Sequence, residues 1–400
     1  MRFAYFVRPH IGGTYTVFKQ LRAGLADFGI DVRWLAMGRS ETFGDPQWFP
    51  EFALGSAVPT DQLPTEREQA RALAAALDCE GYDGVFVNVL SGRIETNIAR
   101  YLPERILRVM IVHNITPGTY AAARSIKDHV HATVGVSDRI RSDLVQVLSF
   151  PKDRTFAIPH AADTRFVPDL PRMPGTAGQL RLLFLGRIED ASKGVFWLPE
   201  ILDKLPPTVR LTVAGDGPDL AALRSKLARH SSRVSILGAA HPNDVPGLLL
   251  QHDVMIMPSR FEGFGLTLTE AMAAGCVPVV SRIRGVTDKI VDDGLNGFLF
   301  SIGNSEEAAS IITNIVAKPE ALRSLSNAAL RKVRDEFTID KMASAYATVI
   351  EQLGVRPPMI APPLDIERWA LPSGLRPGLR TFLPAPIKNW LRVIRERRQA

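Results

Sequence analysis

Two cysteines in 400 residues, Cys79 and Cys276, are too few for a disulfide framework or a cysteine-built metal site, and they suit a reducing compartment. Cys276 is expected simply to pack. No apolar run approaches the length that spans a bilayer. The opening MRFAYFVRPHIGG has too short an apolar core for a secretory signal and no cleavage pattern, so a cytoplasmic location is expected. No Asp-x-Asp pair follows a strand pattern, and no metal site is assigned; Asp292-Asp293 invites a check but reads as a turn. The body of the chain is not basic either. Against a formal net charge of +6, residues 376–400 alone hold seven basic residues and one acid, Glu396. The high pI therefore describes a tail.

What is present is alternation of short apolar runs with helical stretches, the pattern of parallel strands joined by crossover helices. The length suits two domains. Residues 167–179, VPDLPRMPGTAGQ, are rich in proline and glycine and read as the boundary between domains at 1–166 and 180–336. A crossing helix is expected over 337–354, followed by a proline-rich linker and a basic amphipathic tail within 355–400. Gly38 to Pro64 is long for a connection and carries Phe43, Trp48, Phe49 and Phe52; it reads either as an acceptor-side loop or as a flap packed on the first domain.

The densest chemistry lies at 254–282. Val254–Met257 is strand-like, Pro258–Gly265 must turn, Leu266–Ala274 reads as a helix, and Val277–Ser281 as another buried strand. Loops leaving the carboxyl ends of parallel strands form ligand crevices, and a helix starting there offers free amides. Gly263 and Gly265 let the backbone of Gly263, Phe264, Gly265 and Leu266 approach a ligand. Glu262 and Glu270 supply acceptors suited to vicinal hydroxyls. Together they read as a nucleotide-sugar site; the plain alternative is a surface pair of acids.

The string SRFEGFGLTLTEAMAAGCVPVV, with Glu262 and Glu270 as its E-x7-E, resembles the signature of retaining glycosyltransferases of family four. The resemblance extends over about residues 1–353. It implies the GT-B fold: α/β, two Rossmann-like domains facing across a cleft, with a C-terminal helix crossing back to the first.

GRIEDASKG resembles the family's paired-cation motif, which implies that Arg187 and Lys193 hold the donor diphosphate. Gly215, in GDGPD, and Gly238 resemble the positions that floor the donor cleft and line the base. Gly12-Gly13 reads either as a tight turn with positive φ or as an anion site near the helix start, and the resemblance favours Gly13 beside the donor. His113, after the apolar run Val109–Val112, matches a histidine set against the donor sugar. The following Asn114 replaces the usual aspartate. In the hinge-like FAIPHAADTRFVP, His160 and Ala161 stand where asparagine and glycine are usual.

The expected chemistry is retaining, metal-independent sugar transfer from a UDP- or GDP-sugar substrate to a hydroxyl acceptor, plausibly a cell-envelope glycan or glycolipid precursor, with no cofactor. Glu270 would bind ribose, Glu262 the sugar, and Arg187 with Lys193 the leaving diphosphate. A sugar-nucleotide epimerase of the same fold, or a noncatalytic membrane-associated relative, are the competing classes. Ile387, Trp390, Leu391 and Ile394 share one face of a basic segment, 387–398. It reads as an anionic-membrane contact at the inner face, as a solvated helix packed on the body, or as a disordered basic tail that touches nucleic acid only nonspecifically.

Overall fold

The computed structural model describes residues 1–39, 43, 49–89, 92–164, 179–378 and 384–399. They form two compact units: Met1–Ala161 with Ile339–Thr381, and Ala162–Thr338 with Phe382–Ala400. The expected linker at 167–179 lies, but for its last residue, outside the described residues, as does Trp48.

In the first unit the strands are β1 (Arg2–Phe6), β2 (Asp31–Met37), β3 (Gly55–Val58), β4 (Gly84–Asn88), β5 (Leu107–Val112), β6 (Ala132–Gly135) and β7 (Thr155–Ala157). They lie in the order β3-β2-β1-β4-β5-β6-β7, all parallel. GVFVN in β4 and LRVMIV in β5 are buried at every position, as a sheet covered on both faces requires. The order reverses between β1 and β4, which puts a crevice at the carboxyl ends of those strands.

Parallel strands need crossover helices, and these are fixed by local chemistry. Thr65 and Glu68 form a reciprocal capping box at the start of Glu66–Cys79. The expected cap at Ser137 accepts the Ile140 N–H at 3.4 Å. The helix Ile339–Val355 returns to this unit: a Cβ on Gly24 would stand 2.5 Å from the Ala343 Cβ, so Gly24 lets two helices cross closely. Tyr346 on the same helix is fully buried and meets Phe86 edge to face at 5.8 Å.

The described aromatics of 38–64 pack as the flap alternative expected, while the reading of 355–386 as a free linker is overturned. The stretch 38–64 contains strand β3, a four-residue segment GSAV too short to show alternation. Its described aromatics pack on the unit: Phe52 and Phe43 sit 5.6 and 5.9 Å from Trp34, and Phe49 lies 5.3 Å from Tyr15. The proline-rich stretch after the crossing helix is a strap rather than a free linker. Its backbone pairs with the unit at Ala361 N to Asp128 O (2.7 Å) and Leu364 N to Arg100 O (2.8 Å). Trp369 then stacks at 4.6 Å on Tyr101, and the Ala370 carbonyl accepts from Asn97, Arg100 and Tyr101. Proline suits such a strap because its extended backbone is already restricted.

The second unit holds β8 (Leu180–Leu185), β9 (Val209–Ala214), β10 (Val234–Gly238), β11 (Val254–Met257), β12 (Val277–Ser281) and β13 (Phe298–Phe300). Their order is β10-β9-β8-β11-β12-β13, again all parallel. Leu182, Phe184, Val254, Ile256, Val277 and Val279 are the centre of its core, each worth about 1.5–3 kcal/mol of burial. Cys276 packs as expected, fully buried with Sγ 2.9 Å from the His252 carbonyl. The reversal falls between β8 and β11, so the loops that leave those two strands flank the unit's crevice.

Candidate functional site

The two loops at this reversal carry the cations and acids singled out above, and the fold sews them together. Arg260, from the loop after β11, donates through Nη2 to the Asp190 carboxylate at 2.8 Å and through Nε to the Asp190 carbonyl at 2.9 Å. Its backbone N–H reaches the Ser192 carbonyl at 2.8 Å, and its guanidinium lies 3.9 Å from the centre of the Trp197 ring. Gly194 closes the first loop at φ 60°, and a Cβ there would stand 2.2 Å from the Pro258 carbonyl oxygen.

That stitching delivers Lys193 to Glu262: Nζ lies 2.6 Å from Oε1, which also accepts the Ser259 hydroxyl at 2.7 Å. The side chains are 24% and 10% exposed, so the pair is shielded from bulk screening. An ammonium has three N–H bonds and the pair with Glu262 uses one, so the cation can still meet an anion. Arg187 differs. Its side chain is 67% exposed and only 3.7 Å contact to Glu189 is made, so it lies at the solvent edge of the same loop.

The helix Leu266–Ala273 follows, entered through Gly265 in the left-handed region at φ 109°, with no side-chain cap. An uncapped start leaves first-turn amides for a ligand. Glu270 sits on this helix, partly buried. Phe264 is buried, with its ring 5.6 Å from that of Phe337.

Backbone packing favours glycine at Gly215, and a left-handed backbone favours it at Gly238. Gly215 has φ 143°, donates its N–H to the Gly238 carbonyl at 2.7 Å, and a Cβ on it would stand 1.8 Å from the Gly186 carbonyl oxygen. Gly238 has φ 79°. The carboxyl ends of β8, β9 and β10 are thereby drawn into contact, which fixes the loop carrying Arg187. A groove lined by Gly217, Pro218, Leu220 and Arg224 runs nearby and contains none of the residues singled out from the sequence. Asp292 and Asp293 form a turn held by Lys332 at 3.3 Å and Arg282 at 2.5 Å. Among the described residues no cluster of three or more His, Cys, Asp or Glu could hold a metal.

In the first unit, Gly12 is extended at φ 169° and Gly13 begins the helix Gly13–Ala26; neither has the positive φ that the turn reading required. A Cβ at 12 would lie 2.7 Å from the His10 ring, which would have to shift. His113, at the end of β5, is tied into a chain that the sequence did not reveal. Asn88 donates Nδ2 to the Phe6 carbonyl at 2.9 Å, leaving Oδ1 to accept from His113 Nε2 at 2.7 Å. His113 Nδ1 is then the acceptor for His160 Nε2 at 3.2 Å, with the rings stacked 5.3 Å apart. Both partners end or follow parallel strands, which is the signal that could have flagged them.

Burial pushes His113 down to about 4 and holds His160 well below the imidazole range, the neighbouring His113 adding to the effect. His131 is also lowered to about 4, by burial and then by Arg108 and Arg154. The unfolded chain takes up these protons near pH 6.5 where the folded chain does not. Stability is therefore full above that pH, falls as the pH drops toward 4, and levels off below. From about pH 7.5 to about pH 5, His113 and His131 should each remove about 2 kcal/mol. Urea unfolding at the two pH values measures this, and His131→Gln should flatten the dependence; equal stability at both would contradict it.

Among the described residues, no helix is long and apolar enough to cross a membrane.

Comparison with known proteins places this geometry. Residues 179–318 match the family described as Glycosyl transferases group 1. The chain is 33% identical over 197 residues to a phosphatidyl-myo-inositol mannosyltransferase of Propionibacterium freudenreichii, a match covering 48% of this chain and 49% of that protein. The chain thus spans about half the length of that relative. It is 27% identical over 373 residues to the N-acetyl-alpha-D-glucosaminyl L-malate synthase of Bacillus anthracis, covering 85% of this chain and 94% of that one. In fold it is similar to HepE of Anabaena, solved in complex with UDP and glucose, with a TM-score of 0.73, 18% identity, and coverage of 88% of this chain and 100% of that chain. With two doubly wound parallel sheets, a helix returning to the first, and a match to Glycosyl transferases group 1 over residues 179–318 of the second, the chain has the GT-B fold.

Proposed function

We propose that the chain transfers a sugar, with retention, from a UDP- or GDP-sugar to a hydroxyl on a cell-envelope glycan or glycolipid precursor. The observation that carries the donor half is the Lys193–Glu262 pair on stitched loops at the strand reversal, beside the uncapped helix start at Gly265. The UDP and glucose of the HepE complex, and the lipid and sugar in the mannosyltransferase's name, support the substrate classes.

In this reading Lys193 and the exposed Arg187 take the diphosphate, where negative charge grows as the bond from the anomeric carbon to phosphate oxygen breaks. Glu262, turned toward Lys193, accepts from sugar hydroxyls, and Glu270 from the ribose. The acceptor oxygen bonds to the anomeric carbon on the face the phosphate leaves, and its proton passes to the departing phosphate oxygen. No side chain is required as nucleophile. The neutral imidazole of His113, with both ring nitrogens engaged by Asn88 and His160, offers a fixed ring face rather than a charge.

A thermal-stability panel of uridine, guanosine and adenosine diphosphate sugars tests the donor. The right one at a hundred times its dissociation constant adds about 2.7 kcal/mol. A panel in which no nucleoside diphosphate sugar raises the melting temperature would remove the proposal.

A further inference from the structure

The helix Ala385–Gln399 belongs to the second unit but packs on it the wrong way round for a soluble helix. Two polar residues take part in its grip, while Val393 and Ile394 are half-buried. The Arg392 guanidinium lies 4.4 Å from the centre of the Phe261 ring, beside Glu262, and donates to the Ala191 carbonyl at 3.4 Å, in the loop that carries Lys193. Glu396, one turn on, is 6% exposed. Meanwhile Ile387, Trp390 and Leu391 are 45%, 62% and 46% exposed.

At about 100° per residue these three share one third of the helix circumference, and Arg392 with Glu396 lies on the opposite side. A helix that merely packed on the body would bury the first set and expose the second. Other exposed large apolar side chains among the described residues, such as Val147, Leu237 and Leu295, are far apart in sequence.

We propose that this helix is an interfacial membrane anchor: Ile387, Trp390 and Leu391 enter the headgroup boundary of an anionic bilayer, while Arg392 and Glu396 hold the helix to the second unit. The occupant is argued from charge. Residues 376–400 hold seven basic residues against Glu396, and a tryptophan with aliphatic neighbours at one turn's spacing suits the lipid interface. A second copy of the chain carries the same positive tail and would be repelled.

Flotation of the full chain with phosphatidylcholine vesicles, with and without phosphatidylglycerol, tests this at low and high salt. The expected result is at least about tenfold more protein floating with the anionic vesicles, diminished by salt. The triple substitution Ile387→Ser, Trp390→Ser, Leu391→Ser should abolish flotation while leaving the melting temperature unchanged, since those side chains already face water. Failure of the wild type to float with anionic vesicles, or equal flotation of the triple variant, would overturn the anchor. So would a wild-type dimer that the triple variant converts to monomer without any vesicle binding. None of these outcomes depends on which donor the enzyme uses.

Discussion

Lys193→Met lowers kcat/KM by about 10²–10³-fold, the loss typical of removing one positioned charge at a developing anion. Because Lys193 is bonded to the mostly buried Glu262 at 2.6 Å, the same substitution also leaves a carboxylate with Ser259 as a poor substitute, and stability falls with it. The two consequences separate in the double variant Lys193→Met, Glu262→Gln, in which neither buried charge remains. Stability should return toward wild type while turnover stays low. Steady-state kinetics and urea unfolding on the same three proteins check this. Recovery of turnover together with stability would mean that the ion pair serves only the fold.

Gly215→Ala should cost the second unit about 2–6 kcal/mol. Its φ of 143° is a region that a residue with a side chain adopts only with strain, worth about 1–3 kcal/mol. The added Cβ would also stand 1.8 Å from the Gly186 carbonyl oxygen, a backbone atom that no rotamer can move, and such overpacking adds about 1–3 kcal/mol. Gly294→Ala is the matched control: it has φ 78° but nothing within 4 Å of its Cβ, so it bears conformational strain alone. Chemical unfolding that finds the two variants equally stable would show that the approach of Gly215 to Gly186 is not what the position requires.

Much of the loop pair that carries Lys193 and Glu262 was legible in the sequence because its parts are local. A strand run, a Gly-x-Gly turn and a helix start are contiguous in VMIMPSRFEGFGLTLTEAM, and GRIEDASKG has the same compactness. What joined them was not legible. The contacts of Arg260 with Asp190 and Ser192 depend on β8 lying beside β11, a fact of strand order that no local periodicity encodes. The same holds for the chain from His160 through His113 to Asn88, whose members come from three separate strand ends. The strap beyond residue 355 was misread because proline-rich composition describes both a linker and an extended segment held by carbonyls and a stacked tryptophan. At Gly12-Gly13 the pair suggested positive φ, whereas Gly12 is extended and lies close to the His10 ring. The ring of Phe264 packs on Phe337, a contact that the sequence did not show.

The central claim is that the loop carrying Lys193 grips a diphosphate. Calorimetric titration of the nucleoside diphosphate and the matching monophosphate, of whichever base the donor panel selects, into wild type and Lys193→Met tests it most directly. Wild type should prefer the diphosphate by at least about tenfold, equivalent to about 1.4 kcal/mol, and the variant should lose that preference. An undiminished preference in the variant would contradict the assignment.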